Sequence, residues 1–152
     1  MLVGDLALVL SERLMRTSGF GGERLEAAKT RFDRMRTEMA AGQFLDVSGS
    51  ERRDRVRALK TASYTAEGPV LIGAALAGAE PPAEGALRVY GRLLGEAFQL
   101  RDDALDDAPD AVGAAEIDDL LSHAARSLEG APLRREGVDA LVAIANALRM
   151  GA

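Results

Sequence analysis

Gly-Glu-Ala-Phe-Gln-Leu-Arg-Asp-Asp-Ala-Leu-Asp-Asp, residues 95–107, is the stretch from which the chain is best understood. Wound as a helix, it puts Gln99, Asp102, Asp103 and Asp106 at i, i+3, i+4 and i+7, all on one face. Three carboxylates then share that face, and Pro109 just beyond marks the stop, so the acids sit in a last helical turn. Like charges at this spacing cost a few tenths of a kcal/mol per pair, and anions at a helix C-terminus also oppose the macrodipole. A bound cation removes both penalties. With only oxygen ligands and no Cys or His nearby, the donor set favours a hard ion such as Mg²⁺, which keeps several waters and shares its shell with phosphate. A solvated acidic helix end is the alternative reading of the same residues.

Outward from this stretch, the pattern is helical throughout. Pro81-Pro82 breaks the chain upstream, and Pro82 is placed to open a long helix reaching Asp107. Leu87, Leu94 and Phe98 are its core-facing residues, with Arg88, Arg92 and Arg101 expected outside. Leu6, Leu10 and Leu14 recur every four residues and predict a helix over Asp5–Thr17, ended by Ser18-Gly19-Phe20-Gly21-Gly22. Those glycines lack the spacing of a nucleotide fingerprint and read as a connection between helices.

A second helix is expected over Glu23–Asp46, with Leu25, Phe32, Met35 and Met39 inward and Arg24, Arg31, Arg34 and Arg36 available to solvent. Ser48-Gly49-Ser50-Glu51 fits a capping box, so a third helix should start there and end before Gly68-Pro69. Small apolar residues from Pro69 to Gly78 predict a short buried helix. After Pro109 come two more helical stretches, Ala115–Leu128 and Arg134–Arg149, separated by Gly130-Ala131-Pro132. No alternating strand pattern interrupts them, so the expected fold is an all-α antiparallel helical bundle.

Composition bounds what such a bundle can do. The 152 residues are 47% hydrophobic and 28% charged, enough for a single domain over 1–152 with a core of its own. A net charge of −5 supplies no basic field for nucleic acid or an anionic membrane. No cysteine is present, which excludes disulfides and thiolate metal sites. Met-Leu-Val-Gly-Asp at the start carries no basic leader and no apolar run long enough to span a bilayer, so a soluble cytoplasmic chain is the expectation. His123, the only histidine, lies between Asp119 and Arg126 at helical spacing and reads as a surface residue.

Two further segments could carry chemistry. Lys60-Thr-Ala-Ser-Tyr-Thr65 holds one of only two lysines in the chain, a compact point charge for phosphate with the Thr61 hydroxyl beside it. A surface lysine next to a helical threonine explains it equally simply. Met39-Ala-Ala-Gly-Gln-Phe-Leu-Asp46 places Gln43 and Asp46 on one turn, where they read either as a helix cap or as cavity-lining groups. Its Gly42 costs about 1 kcal/mol against Ala in a helix interior, which close packing would justify.

In this order, G-D at Gly4-Asp5, G-Q-x-x-D at Gly42–Asp46, K-T-x-x-Y-T at Lys60–Thr65 and F-Q-x-x-D-D-x-x-D at Phe98–Asp106 resemble the trans-isoprenyl diphosphate synthase (polyprenyl synthetase) family. The resemblance implies an all-α, usually dimeric enzyme that joins isopentenyl diphosphate to an allylic diphosphate with Mg²⁺, as geranyl, farnesyl and geranylgeranyl diphosphate synthases do. By it, Asp102, Asp103, Asp106 and Asp46 would serve the metal. Lys60 and Thr61 would hold the allylic diphosphate, and Gln43 and Gln99 would place substrate. The expected partners are the two diphosphates and either a second copy or a complete synthase.

The family's earlier aspartate-rich motif, its arginine pair and its basic segment for isopentenyl diphosphate have no counterpart in these residues. Nor does the Gly-Lys segment that follows its second motif. The expectation is therefore a shortened member lacking the N-terminal half, acting in a prenyltransferase site. The alternative is a catalytically silent helical subunit or remnant that binds a partner synthase.

Overall fold

The computed structural model describes residues 2–48, 64–105 and 113–149. Among them are six α-helices and no strand: α1 (Leu2–Arg16), α2 (Gly22–Val47), α3 (Gly68–Ala77), α4 (Pro81–Leu105), α5 (Ala114–Arg126) and α6 (Arg135–Ala147). The all-α reading holds. Observed ends fall within three residues of those expected, except where the expectation reaches undescribed residues; of Ser48-Gly49-Ser50-Glu51 only Ser48 is described.

Apolar spacing builds the core. On α4, Ala83, Leu87, Tyr90, Leu94 and Ala97 recur at intervals of three and four and are all buried. On α5, Ile117, Leu121 and Ala124 do the same, and Leu128 continues the stripe past the helix end. These two stripes face each other, joined by Ala66 and Ala74 from the α3 side and by Val138, Leu141, Val142 and Ala145 from α6. Burying each large aliphatic side chain contributes about 1.5–3 kcal/mol. α2 packs chiefly on α3, α3 on α4, and α6 on α5. The phenol of Tyr90, fully buried, donates a 2.7 Å hydrogen bond to the Leu141 carbonyl and so ties α4 to α6.

One boundary differs from its expectation. No break precedes Gly68-Pro69: residues 64–67 wind as a π-helical turn that runs directly into α3, with Glu67 itself helical at φ −59°, ψ −49°. Proline in an α-helix lacks an N–H and clashes with the carbonyl four residues back. The wider π turn accommodates Pro69 without ending the helix. Helix α3 stops instead at Gly78, whose φ of +70° only glycine adopts freely. There the Gly78 N–H donates to Ala75 O at 3.0 Å and the Ala79 N–H to Ala74 O at 2.9 Å, closing the orphan carbonyls.

The arginines expected to lie outside are not all free. Arg31 of α2 donates to Glu84 of α4 at 2.7 Å, and Arg88 donates to Glu84 at 2.7 Å and to Glu67 at 3.3 Å. Arg36 reaches Glu12 of α1 at 2.6 Å and lies 5.0 Å from the centre of the Phe32 ring. Cross-helix partners hold these side chains half-buried, a relationship that i,i+4 spacing within one helix does not reveal. Met35 is buried and Met39 half-buried, as core fillers should be.

Candidate diphosphate and metal site

The acid-rich stretch ends α4. Its helix is long because Pro81 and Pro82 occupy the first turn, where no N–H is needed, and because Glu84 in that turn faces the positive end of the macrodipole. At the far end, Gln99 and Asp103 meet as the i,i+4 spacing requires: Gln99 Nε2 donates to Asp103 Oδ1 at 2.7 Å. Both residues are half-buried, whereas Asp102 is exposed at the same helix end. Phe98, one residue before and expected to face the core, is only half-buried; the buried Leu94, Gly95 and Ala97 mark the inward side of this end of the helix.

The amide therefore orients one carboxylate oxygen, and the neighbouring acid stands in solvent where an incoming ion can reach it. Arg101, expected outside, is half-buried, and its Nε has no hydrogen-bond partner among the described residues.

Of the other sequence-derived candidates, Gln43 is exposed near the end of α2, and Gly42 beside it is buried as its packing role requires. Asp46 falls in the last turn of α2, with its side chain outside what the structure describes. Lys60, Thr61 and Asp106 lie outside the described residues. Tyr64 and Thr65 of the same segment are exposed in the π turn.

Among the described residues no three His, Cys, Asp or Glu side chains gather into a metal-sized group. The donor chemistry fits Mg²⁺ all the same: Asp102 and Asp103 offer only hard carboxylate oxygens, and a Mg²⁺ site draws as few as one or two carboxylates from the protein.

A feature that sequence reading missed lies between α2, the 64–67 turn and α4. Arg31, Arg34, Glu38, Glu67 and Arg88 line a small polar pocket there, closed by Met35, Gly68 and Leu71. Arg34 pairs with Glu38 at 2.7 Å, which holds its guanidinium above the ordinary arginine value through that hydrogen bond and charge. Glu84 and Arg88 were legible as an i,i+4 pair; that Arg31 and Glu67 complete the set required the fold. Every cation of this group has a carboxylate partner, so the cluster stitches helices together and offers no anion site. Among the described residues, no helix is long and apolar enough to cross a membrane.

Comparison with known proteins agrees with the all-α fold and with the family resemblance. The family model for polyprenyl synthetase matches residues 1–123. The geranylgeranyl pyrophosphate synthase of Corynebacterium glutamicum, solved with isoprenyl diphosphate and magnesium, superposes with a TM-score of 0.82 at 25% identity over 99% of this chain. The geranylgeranyl pyrophosphate synthetase of the archaeon Geoglobus acetivorans shares the fold, with a TM-score of 0.76 at 20% identity over 97% of this chain. The matches span 62% and 65% of those two chains, so the present chain covers less than two thirds of their length. The match over 1–123, reaching from α1 into α5 and including all four motifs, places this chain in the polyprenyl synthetase family.

Proposed function

We propose that this chain forms the second aspartate-rich wall of a Mg²⁺-dependent prenyltransferase site, of the kind that condenses isopentenyl diphosphate with an allylic diphosphate. The observation that carries the reading is the 2.7 Å hydrogen bond from Gln99 to Asp103, which fixes a carboxylate of the D-D-x-x-D motif at the inward edge of the α4 terminus. Asp102, Asp103 and Asp106, with Asp46, would hold the metal. Mg²⁺, when bound, offsets the charge of a diphosphate leaving group.

What the chain's own residues would do is electrostatic and positional. Gln99 keeps Asp103 in one rotamer, so no reorganisation is needed as charge develops. Lys60 and Thr61 would supply an ammonium and a hydroxyl to the phosphate oxygens. Gln43 would donate an amide N–H to the substrate. A membrane is not part of this reading; a soluble, cytoplasmic setting and Mg²⁺-bound substrates are.

A second reading is a helical subunit that retains the bundle without turnover. Thermal melting with Mg²⁺ and pyrophosphate separates the two. A ligand at a hundred times its Kd stabilises by about 2.7 kcal/mol, so a shift that vanishes in Asp102→Ala supports the binding site. An equal shift in the variant, or none in either protein, supports the silent subunit. Product from labelled isopentenyl diphosphate and geranyl or farnesyl diphosphate would establish turnover.

A further inference from the structure

The K-T-x-x-Y-T segment ends in the π turn at 64–67, and helix α4 grips that turn at Glu67. Gly91 lies against the Glu67 backbone so closely that only a residue without a side chain fits there. Arg88, one turn before Gly91, donates to the Glu67 carboxylate at 3.3 Å and to Glu84 at 2.7 Å. Ala66 is buried in the core with residues of α4 and α5, whereas Tyr64 and Thr65 are exposed. One end of the turn is therefore anchored and the other presented.

Position along α4 gives this grip a direction. Only Gly78, Ala79 and Glu80 join α3 to α4, so the two helices run antiparallel. Glu67 stands ten residues before the end of α3 and Gly91 ten residues after the start of α4, which sets them level. Thr65 and Tyr64, reached by stepping back from Glu67, lie on the side toward the acid end of α4. Gly91 and Asp102 are eleven residues apart, and at about 100° per residue they fall within about 20° of each other around the helix. The face of α4 that receives the turn is thus the face that ends in Asp102.

The form of the turn sets an angle as well. A π turn closes its hydrogen bonds over one residue more than an α turn, so it rotates the chain entering it by about 100° relative to an unbroken α-helix. We propose that Glu67 and Arg88 are positioning residues for the diphosphate. Their ion pair, with Gly91 beside it, keeps the π turn in one phase and so sets how the K-T-x-x-Y-T segment meets the phosphate opposite Asp102. Neither residue touches substrate; both act through the turn. The inference rests on the proposed diphosphate site and adds to it two residues that lie outside the four motifs.

Calorimetric titration of pyrophosphate in excess Mg²⁺, well below the melting temperature, tests the assignment. Glu67→Gln keeps the side-chain shape and an acceptor for Arg88 but removes the charge. It should weaken pyrophosphate by about threefold or more, as expected for loss of a partly exposed ion pair, with little change in melting temperature. Arg31→Gln breaks the 2.7 Å pair with Glu84 in the same cluster and leaves the turn untouched. It should lower the melting temperature at least as much, yet bind pyrophosphate as wild type does. Glu67→Gln/Arg88→Gln should bind no worse than Arg88→Gln alone, because either change already breaks the pair. Amide exchange at residues 64–67 should rise in Glu67→Gln and not in Arg31→Gln. Equal affinity in wild type and Glu67→Gln would overturn the inference and leave the diphosphate site standing. An equal loss of affinity in Arg31→Gln would reduce the effect to general stability and overturn it as well. A wild type that binds no pyrophosphate would overturn the site and the inference with it.

Discussion

Gly91 of α4 faces the backbone of Glu67 so closely that a β-carbon built on it would lie 2.7 Å from Glu67 Cα and 3.2 Å from Glu67 N. No real β-carbon tolerates that approach to a main chain, and the π turn at 64–67 has no flexible side-chain end to yield. Gly91→Ala should therefore destabilise the fold by about 1–3 kcal/mol through overpacking, even though alanine is the better helix former by about 1 kcal/mol. Urea denaturation of the two proteins measures the difference. An unchanged or raised midpoint would mean that α4 and the turn separate at no cost.

That contact also shows where the sequence is legible and where it is not. The stripes of α4 and α5 follow from spacing alone, because burial selects apolar residues every three or four positions. The Gln99–Asp103 bond is equally local, an i,i+4 relationship within one helix. Residues 64–67 are different: Gly68-Pro69 carries the local signature of a stop, and only the packing of Gly91 and the ion pair of Arg88 with Glu67 explain why the helix continues. Arg31 and Glu84 are 53 residues apart, and no pattern along the chain announces their meeting. For α1 the periodicity correctly gave a helix, while its exposure depends on what surrounds the bundle and leaves no mark in the spacing.

Tyr90 gives a pH-dependent readout of the core. Burial pushes its phenol up to about 12, because the ionised form would lose water without gaining a cationic partner. In the unfolded chain the group titrates near its ordinary value of 10. Its share of stability is complete below pH 10 and falls as pH rises towards 12, since only the unfolded state releases the proton in that window. Tyr90→Phe should cost about 0.5–1.5 kcal/mol at pH 7, through loss of the hydrogen bond to Leu141. The variant should also show a shallower decline between pH 10 and 12. Parallel wild-type and variant curves across that range would mean that Tyr90 ionises in the folded state as readily as in water.

Glu84 is the carboxylate that Arg31 and Arg88 share, each donating to one of its oxygens at 2.7 Å, with 26% of its side chain exposed. Burial by itself raises the carboxyl pKa, but the hydrogen bonds from Arg31 and Arg88, together with their charges, more than reverse this and leave it below the ordinary 4.5. A lowered folded value stabilises the protein at every pH above the unfolded one, and that contribution disappears as pH drops through the folded one. Glu84→Gln keeps the shape and one acceptor while removing the charge. Because the group is partly solvated, the loss at pH 7 should be about 1–2 kcal/mol, less than a fully buried charged pair would cost. Once pH drops below 4.5 the unfolded chain takes up the proton before the folded one does, so the wild-type advantage is lost as pH falls through the lower folded value and the two stability curves should converge, a change visible in chemical denaturation at pH 7, 5 and 3. Since Glu84 is the link between α2 and α4 through Arg31, the same variant should increase amide exchange in both helices at pH 7. A constant offset between the curves from pH 7 to 3 would assign the loss to packing and remove the shared carboxylate from the account of how these helices are held.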